Sequence, residues 1–197
     1  MRQLALWLFL CLMGTSALAA QNDETLISGK IESGGFGALV SKLTEIDGKT
    51  AIIGGGRGGW IINHTFVVGG GGYGLVNNIK PEGISSEKDL LLEMGYGGLE
   101  FEYIANSQRL IHYSIYTLIG GGSVEYRERD HSFEEVYASD GFFVAEPGVS
   151  FELNVTKSFR VGLGTSYRYI NGVNLEGTSN SELRGLSANL TLKFGKF

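Results

Sequence analysis

Apolar and polar residues alternate with a period of two along most of the chain after residue 35, and this pattern limits the fold more than any other feature. In residues 159–169, apolar or aromatic residues occupy almost every second position, with Arg, Gly or Ser between them. Successive side chains of a β-strand point to opposite sides, so this period indicates strands with two different faces. We predict eight strands, over residues 35–46, 49–61, 64–77, 89–105, 109–127, 140–155, 158–170 and 182–197.

The segments between these strands alternate in length. The first hairpin is an exception, because the alternation calls for a long loop there and the Asp47-Gly48 turn is short. This dipeptide suits type I′ geometry. Short turns on one side and long loops on the other, with an even number of strands, are typical of outer-membrane barrels. We therefore predict an all-β fold, an eight-stranded antiparallel up-and-down transmembrane β-barrel closed by strand 1 against strand 8, with a soluble β-sandwich as the alternative. The short turns are at 62–63, 106–108 and 156–157, and the long loops at 78–88, 128–139 and 171–181.

The polarity of the two strand faces distinguishes a membrane barrel from a soluble one, which buries its apolar face. Here the polar face mixes Glu and Arg with Gly, as a narrow lumen would. Aromatic residues mark both strand ends, with Tyr103 and Tyr113 near the short turns and Tyr167 and Tyr169 toward the long loops, as in the girdles at bilayer interfaces. We predict a structural network that fills the lumen, fixes the strand register and blocks flow. Its predicted members are Arg57, Glu93, Glu100, Glu102, Glu146, Glu152, Arg160, Arg168 and Lys193.

Strands 4 and 6 fit this pattern less simply. Leu92 and Leu99 of strand 4 belong to opposite registers, which a β-bulge at Gly97-Gly98 would reconcile. Pro147 lies in the middle of strand 6, where it lacks the N–H that pairing with a neighbouring strand requires.

The amino-terminal residues have the layout of a secretory signal peptide. Arg2 precedes an apolar run over residues 4–13, and Ala17-Leu18-Ala19 offers a cleavage site. We therefore expect three parts, which are a signal peptide over residues 1–20, a short periplasmic segment over 21–34 and the barrel over 35–197.

Composition excludes several classes of protein. Cys11 is the one cysteine and lies in the predicted signal peptide, so the mature chain would have no disulfide. The formal charge of −5 argues against nucleic-acid binding, which depends on Lys and Arg at phosphates. The chain has 31 Gly, 11 Phe and 9 Tyr but only two Pro, which favours closely approaching strands with aromatic residues at interfaces.

With these features the chain resembles the small eight-stranded bacterial outer-membrane barrels of the OmpX, OmpA-transmembrane-domain and OmpW type. The resemblance covers essentially the whole mature chain and rests on the layout of strands and turns. Its most specific element is the last strand, which ends in Phe197. That terminal residue falls in the opposite register to Leu190 and Leu192, whereas Phe194 shares their register and is the alternative terminal signal.

The resemblance implies the outer membrane of a Gram-negative bacterium as the location. It also implies lipid and lipopolysaccharide contacts, recognition of the last strand by the barrel assembly machinery, and a monomer. The leading functional hypothesis is a non-enzymatic structural or surface-interaction role. Two alternatives remain open, which are an OmpW-like conduit for small hydrophobic molecules and an outer-membrane lipid-modifying enzyme.

Three patterns suggest chemistry that we do not predict. Residues 54–59 and 69–74 both match Gly-x-Gly-x-x-Gly, but each lies inside a predicted strand with no helix after it, so we expect no cofactor. His112 and Ser114 share a strand face and resemble part of a hydrolase triad, yet a hydrogen-bonded lumen histidine is the simpler interpretation. The polar loop at 127–135 could collect a divalent cation, but we interpret it as a solvated loop and expect no metal site.

Overall fold

The computed structural model describes residues 30–81, 90–128 and 136–197. The predicted signal peptide, residues 1–20, lies outside the described residues, as do parts of the predicted loops at 78–88 and 128–139. Within the described ranges, no helix is long and apolar enough to cross a membrane. The elements are β1 (Ser33–Ile46), β2 (Lys49–Ile62), β3 (Phe66–Leu75), β4 (Leu90–Ala105), β5 (Ile111–Glu128), β6 (Val136–Asn154), β7 (Phe159–Asn171), the short helix α1 (Asn180–Leu183) and β8 (Gly185–Lys196).

Each strand pairs antiparallel with the next, and β1 pairs with β8, so the sheet is a closed barrel. This confirms the predicted eight-stranded antiparallel up-and-down barrel. Closure leaves no strand edge without a partner, which a sheet surrounded by lipid requires because lipid offers no hydrogen bonds. The barrel has two distinct ends. We call them the short-turn end, where β1 begins and β8 finishes, and the long-loop end, where α1 lies.

The first hairpin turns as predicted. Asp47 and Gly48 have φ values of 52° and 66°, so both central residues are left-handed, as a type I′ turn requires. The strands that it joins remain in continuous register from Ile46↔Lys49 to Ser33↔Ile62.

The outer face of the barrel is apolar. Leu39, Leu99, Phe151 and Leu163 point outward and are each 61–65% exposed. A water-soluble barrel would bury such residues, so this polarity is that of a barrel surrounded by acyl chains. Exposed aromatic rings mark both ends of the outer face as predicted, with Trp60, Tyr103 and Tyr113 at the short-turn end and Phe143, Tyr167 and Tyr169 toward the long loops.

The interior has two zones rather than one. Toward the long-loop end it is a packed apolar core, which includes Ile46, Leu92, Val124, Val144 and Ile170. Buried charged residues fill the middle, and they share the short-turn half with a small apolar cluster of Ile61, Val67 and Ile104. This division corrects the expectation of a polar lumen throughout.

The same division explains strand 4, where the predicted bulge at Gly97-Gly98 is wrong. The register of β4 is continuous through both glycines toward β3 and toward β5. Leu92 faces the apolar core and Leu99 faces outward, so both positions are apolar without any change of phase. Pro147 faces outward, and the β6–β7 pairs are interrupted between Ala145↔Tyr169 and Gly148↔Ser166, where its N–H is missing.

Candidate functional site

The candidate site is the set of buried charged side chains inside the barrel, which we call the interior charge network. It comprises eight of the nine predicted members together with Lys42. Glu146, Glu152, Arg168 and Lys193 are each no more than 1% exposed. The structure places these predicted members inside the barrel: Arg57, Glu100, Glu102, Glu146, Glu152, Arg160, Arg168 and Lys193.

Glu93 is not part of the network, which corrects the prediction. Leu92 and Met94 point into the apolar core, so strand alternation turns Glu93 outward. Its carboxylate lies 3.4 Å from the guanidinium of Arg127 on the neighbouring strand β5. With its side chain 48% exposed, Glu93 lies on the outer surface near the long-loop end.

Lys42 belongs to the network and was not predicted. It lies on β1 in phase with Val40 and Thr44, and its side chain is 3% exposed. The glycine-rich first strands left their facing open, so Lys42 was not recognised. The burial of alternate residues from Ala38 to Ile46, which places Lys42 inside, is apparent only in the structure.

The half of the network nearer the long loops is centred on Glu146. Lys42 Nζ donates to both carboxylate oxygens of Glu146, at 2.8 and 2.9 Å. The Tyr96 hydroxyl donates to the same carboxylate at 2.8 Å, and the Ser166 hydroxyl donates at 2.6 Å. Lys42 Nζ also lies 3.5 Å from the centre of the Tyr73 ring, a cation–π contact. Glu146 therefore accepts four hydrogen bonds from three strands across the lumen.

The half nearer the short turns is a chain of alternating charges. Arg57 Nη1 lies 3.3 Å from Glu100 and 3.6 Å from Glu102. Lys193 Nζ bridges Glu102, at 2.7 Å, and Glu152, with which it makes a short ion pair. Alternating signs satisfy charges that would be costly to bury alone.

At the short-turn end the network meets His112 and Arg160. His112 Nε2 lies 3.5 Å from Glu152 and 3.4 Å from Arg160 Nη1. The Arg160 guanidinium donates to the Ser107 carbonyl at 3.2 Å and stacks 3.9 Å from the centre of the Phe197 ring. These side chains lie across the mouth of the barrel.

His112 and Ser114 do not form a nucleophile–base pair. The Ser114 hydroxyl donates to Glu152 Oε1 at 3.2 Å, and His112 approaches the other oxygen of the same carboxylate. A triad needs the serine to donate to the histidine and the carboxylate to orient that histidine. Here both residues contact Glu152, so the arrangement is a hydrogen-bonded lumen cluster.

The glycine patterns also have a structural explanation. Residues 54–59 and 69–74 lie on the paired strands β2 and β3, where Gly59 faces Gly69 and Gly56 faces Gly72. No helix follows either segment directly. Within the described ranges, no group of three or more His, Cys, Asp or Glu side chains could hold a metal ion. The polar loop at 127–135, which we interpreted as solvated, lies mostly outside those ranges.

Neither a protein-family model nor a curated relative matches the sequence. Solved structures with a similar fold include Neisserial surface protein A, with a TM-score of 0.55 at 12% identity, covering 86% of this chain and 100% of that one. The N-terminal β-barrel domain of Pseudomonas aeruginosa OprF has a TM-score of 0.50 at 10% identity, covering 81% of this chain and 96% of that domain. The chain therefore has the fold of the small bacterial outer-membrane barrels, as the resemblance implied.

Proposed function

We propose that this chain is an outer-membrane barrel protein of a Gram-negative bacterium whose sealed interior serves stability and whose long loops meet the surroundings. Its role on this proposal is structural or surface-interacting, and not catalytic. The supporting observation is that interior side chains fill the lumen in two successive zones. An apolar core occupies the long-loop half, and the interior charge network shares the rest with a small apolar cluster of Ile61, Val67 and Ile104.

Each zone blocks a different kind of passage. Ions would have to cross a packed apolar layer that contains Leu92, Val144 and Ile170, each no more than 1% exposed. Small apolar molecules would have to displace Lys193 from Glu102 and Glu152, and separating a buried ion pair is costly. We therefore infer a barrel that conducts neither.

The test is a planar-bilayer recording of the purified, folded protein at both polarities of applied voltage. We expect no stable conductance steps above the bilayer background. A matched variant replaces Leu92 and Val144 by Gly to remove part of the apolar layer, and any conductance should appear only in that variant. Large stable steps with the unmodified chain would overturn the sealed-lumen proposal.

We propose partners that suit the same geometry. The apolar outer face and its aromatic belts suit lipid and lipopolysaccharide, and the last strand suits recognition by the barrel assembly machinery. Phe194 points outward with 52% exposure and stacks on Phe159 with ring centroids 4.7 Å apart. Phe197 turns inward against Phe36. We propose Phe194 as the aromatic residue that the machinery reads.

A conduit for small hydrophobic molecules is the second candidate, because the long-loop half of the interior is apolar. This function would require the packed core to open. Uptake of a fluorescent apolar probe by proteoliposomes would favour the conduit if it exceeded that of empty liposomes.

A further inference from the structure

Two adjoining clefts lie at the short-turn end of the barrel. One has a volume of about 430 Å³ and the other about 460 Å³, and His64, Ser107 and Gln108 line both. We call the two clefts together the mouth groove. Each volume is in the range of small-ligand sites, which is about 300–1,000 Å³, so the groove is large enough for a ligand of several residues.

The mouth groove is lined by cations. Lys157 and Arg160 line the first cleft, and Arg109 lines the second. In the described part of the chain, no Asp or Glu side chain lines either cleft. The side chains of Lys157 and Arg109 are exposed, and neither makes an ion pair with a described residue. Although the whole chain has a formal charge of −5, this groove therefore favours a negatively charged ligand.

The carboxylates beside the groove already have partners. Glu32 lies 2.6 Å from His64 Nε2. Glu152 lies behind Arg160, at 4.0 Å from its Nη1, and makes a closer ion pair with Lys193. These carboxylates therefore leave the exposed cations of the groove available to a ligand.

Hydrogen bonds hold the walls of the groove in place. Asn154 Nδ2, at the end of β6, donates to the Ser107 carbonyl at 2.9 Å and to the Arg109 carbonyl at 2.7 Å. These bonds tie β6 to the turn between β4 and β5. The Arg160 guanidinium donates to the same Ser107 carbonyl at 3.2 Å, and the Phe197 ring covers one side of this guanidinium. A groove that is already formed loses little conformational entropy when a ligand binds.

The other lining groups suit a peptide better than a single small anion. The exposed side chains of Gln108 and Asn106 each offer an amide donor and a carbonyl acceptor, which can pair with the backbone of a peptide. The Phe197 ring adds an apolar surface. Because Lys157 and Arg109 line different clefts, their charges suit a ligand with separate carboxylates along its length.

We propose that the mouth groove binds an acidic peptide segment of a periplasmic partner. Carboxylates of the peptide pair with Lys157 and Arg109, and its backbone amides pair with Gln108 and Asn106. The short turns of outer-membrane barrels face the periplasm, so such a partner has access to the groove. This inference goes beyond the proposed surface role, which concerns the opposite end of the barrel.

The experiment measures fluorescence anisotropy of a labelled short polyglutamate peptide during titration with the folded protein in uncharged detergent micelles. A labelled polyglutamine peptide of the same length is the neutral comparison. We expect saturable binding of polyglutamate at low ionic strength, with an affinity about tenfold or more above that of polyglutamine. Added salt should weaken the binding, because exposed charges are screened.

Single substitutions locate the binding site. Lys157→Gln and Arg109→Gln should each lower the affinity for polyglutamate by about fivefold, as the loss of one exposed ion pair does. Lys196→Gln is the matched control. It removes a cation from the same end of the barrel, but Lys196 lies on the outward face of β8 and does not line the groove. Its affinity should equal that of the unmodified protein.

Three results would overturn the proposal. One is equal affinity of the unmodified protein for the two peptides. Another is an affinity for polyglutamate that neither Lys157→Gln nor Arg109→Gln lowers. The third is a loss in Lys196→Gln as large as that in Lys157→Gln, which would show attraction to the basic end of the barrel without a site in the groove.

Discussion

The ammonium group of Lys42 on β1 donates to both carboxylate oxygens of Glu146 on β6, at 2.8 and 2.9 Å, across the interior of the barrel. These strands are not neighbours in the sheet. The pair therefore joins two walls of the barrel that share no backbone hydrogen bonds. It fixes the position of one strand relative to the other along the barrel axis.

Breaking this pair on one side should destabilise the barrel strongly. Glu146→Gln leaves Lys42 buried without a carboxylate, so we expect a loss of about 3–5 kcal/mol in the free energy of unfolding. The double variant Lys42→Met with Glu146→Gln should recover much of that loss. Urea unfolding in micelles measures both. A single variant as stable as the unmodified protein would contradict this role.

The exposed ion pair of Glu93 and Arg127 should contribute far less to the free energy of unfolding than the buried pair of Lys42 and Glu146. Glu93 and Arg127 lie 3.4 Å apart with side chains 48% and 26% exposed. Glu93→Ala should cost less than about 1 kcal/mol, as exposed ion pairs do. Glu100→Ala, which removes a buried partner of Arg57, is the comparison and should cost several times more in the same unfolding assay.

Approximate strand bounds could be predicted from the period of the sequence, which is the same whichever face is buried, although β6 begins at Val136, four residues before its predicted start. Pairing order and closure could be predicted from the alternation of short turns and long loops and the even number of strands. The site was less predictable, because alternation does not reveal where the interior changes from apolar to charged. Glu93 was placed inside for this reason, although Leu92 and Met94 occupy the inward positions beside it. Lys42 was missed because the glycine-rich first strands do not reveal which of their faces points inward.

Glycines in the barrel wall differ in whether the space around them can hold a side chain. A Cβ at Gly120 would lie 2.6 Å from the Gly98 backbone, whereas a Cβ at Gly72 meets nothing within 4 Å. Gly120→Ala should therefore destabilise the barrel by about 1–3 kcal/mol through overpacking, and Gly72→Ala should be neutral or slightly stabilising. The two variants can be compared by the temperature at which heat-modifiable gel mobility is lost. Equal effects would contradict the close approach of the strands at Gly120.

The two aromatic residues at the carboxyl end, Phe194 and Phe197, should differ in how much each contributes to barrel assembly. Phe194→Ala removes the outward ring and should lower the fraction of folded protein in membranes severalfold, while Phe197→Ala, which removes an inward ring, should lower it much less. Heat-modifiable mobility of membrane fractions measures the folded fraction. The reverse order would show that the inward terminal residue is the one recognised.

The serine–histidine cluster should leave lipid unchanged. Because Ser114 donates to Glu152 and not to His112, His112 does not activate the Ser114 hydroxyl as a nucleophile. Mass spectra of lipid A from cells with and without the protein should be identical. A mass change that disappears in Ser114→Ala or His112→Ala would show a lipid-modifying enzyme.

The central claim is that the apolar face contacts acyl chains while the charges are enclosed behind it. Leu163 and Leu190 lie on that face, and Lys157 lies in the turn after β6. Nitroxide labels at cysteines introduced singly at these positions in bilayers report collisions with oxygen, which concentrates in lipid, and with a polar nickel chelate. We predict high oxygen and low nickel accessibility at Leu163 and Leu190, and high nickel accessibility at Lys157. Nickel accessibility at the two leucines equal to that at Lys157 would contradict the claim.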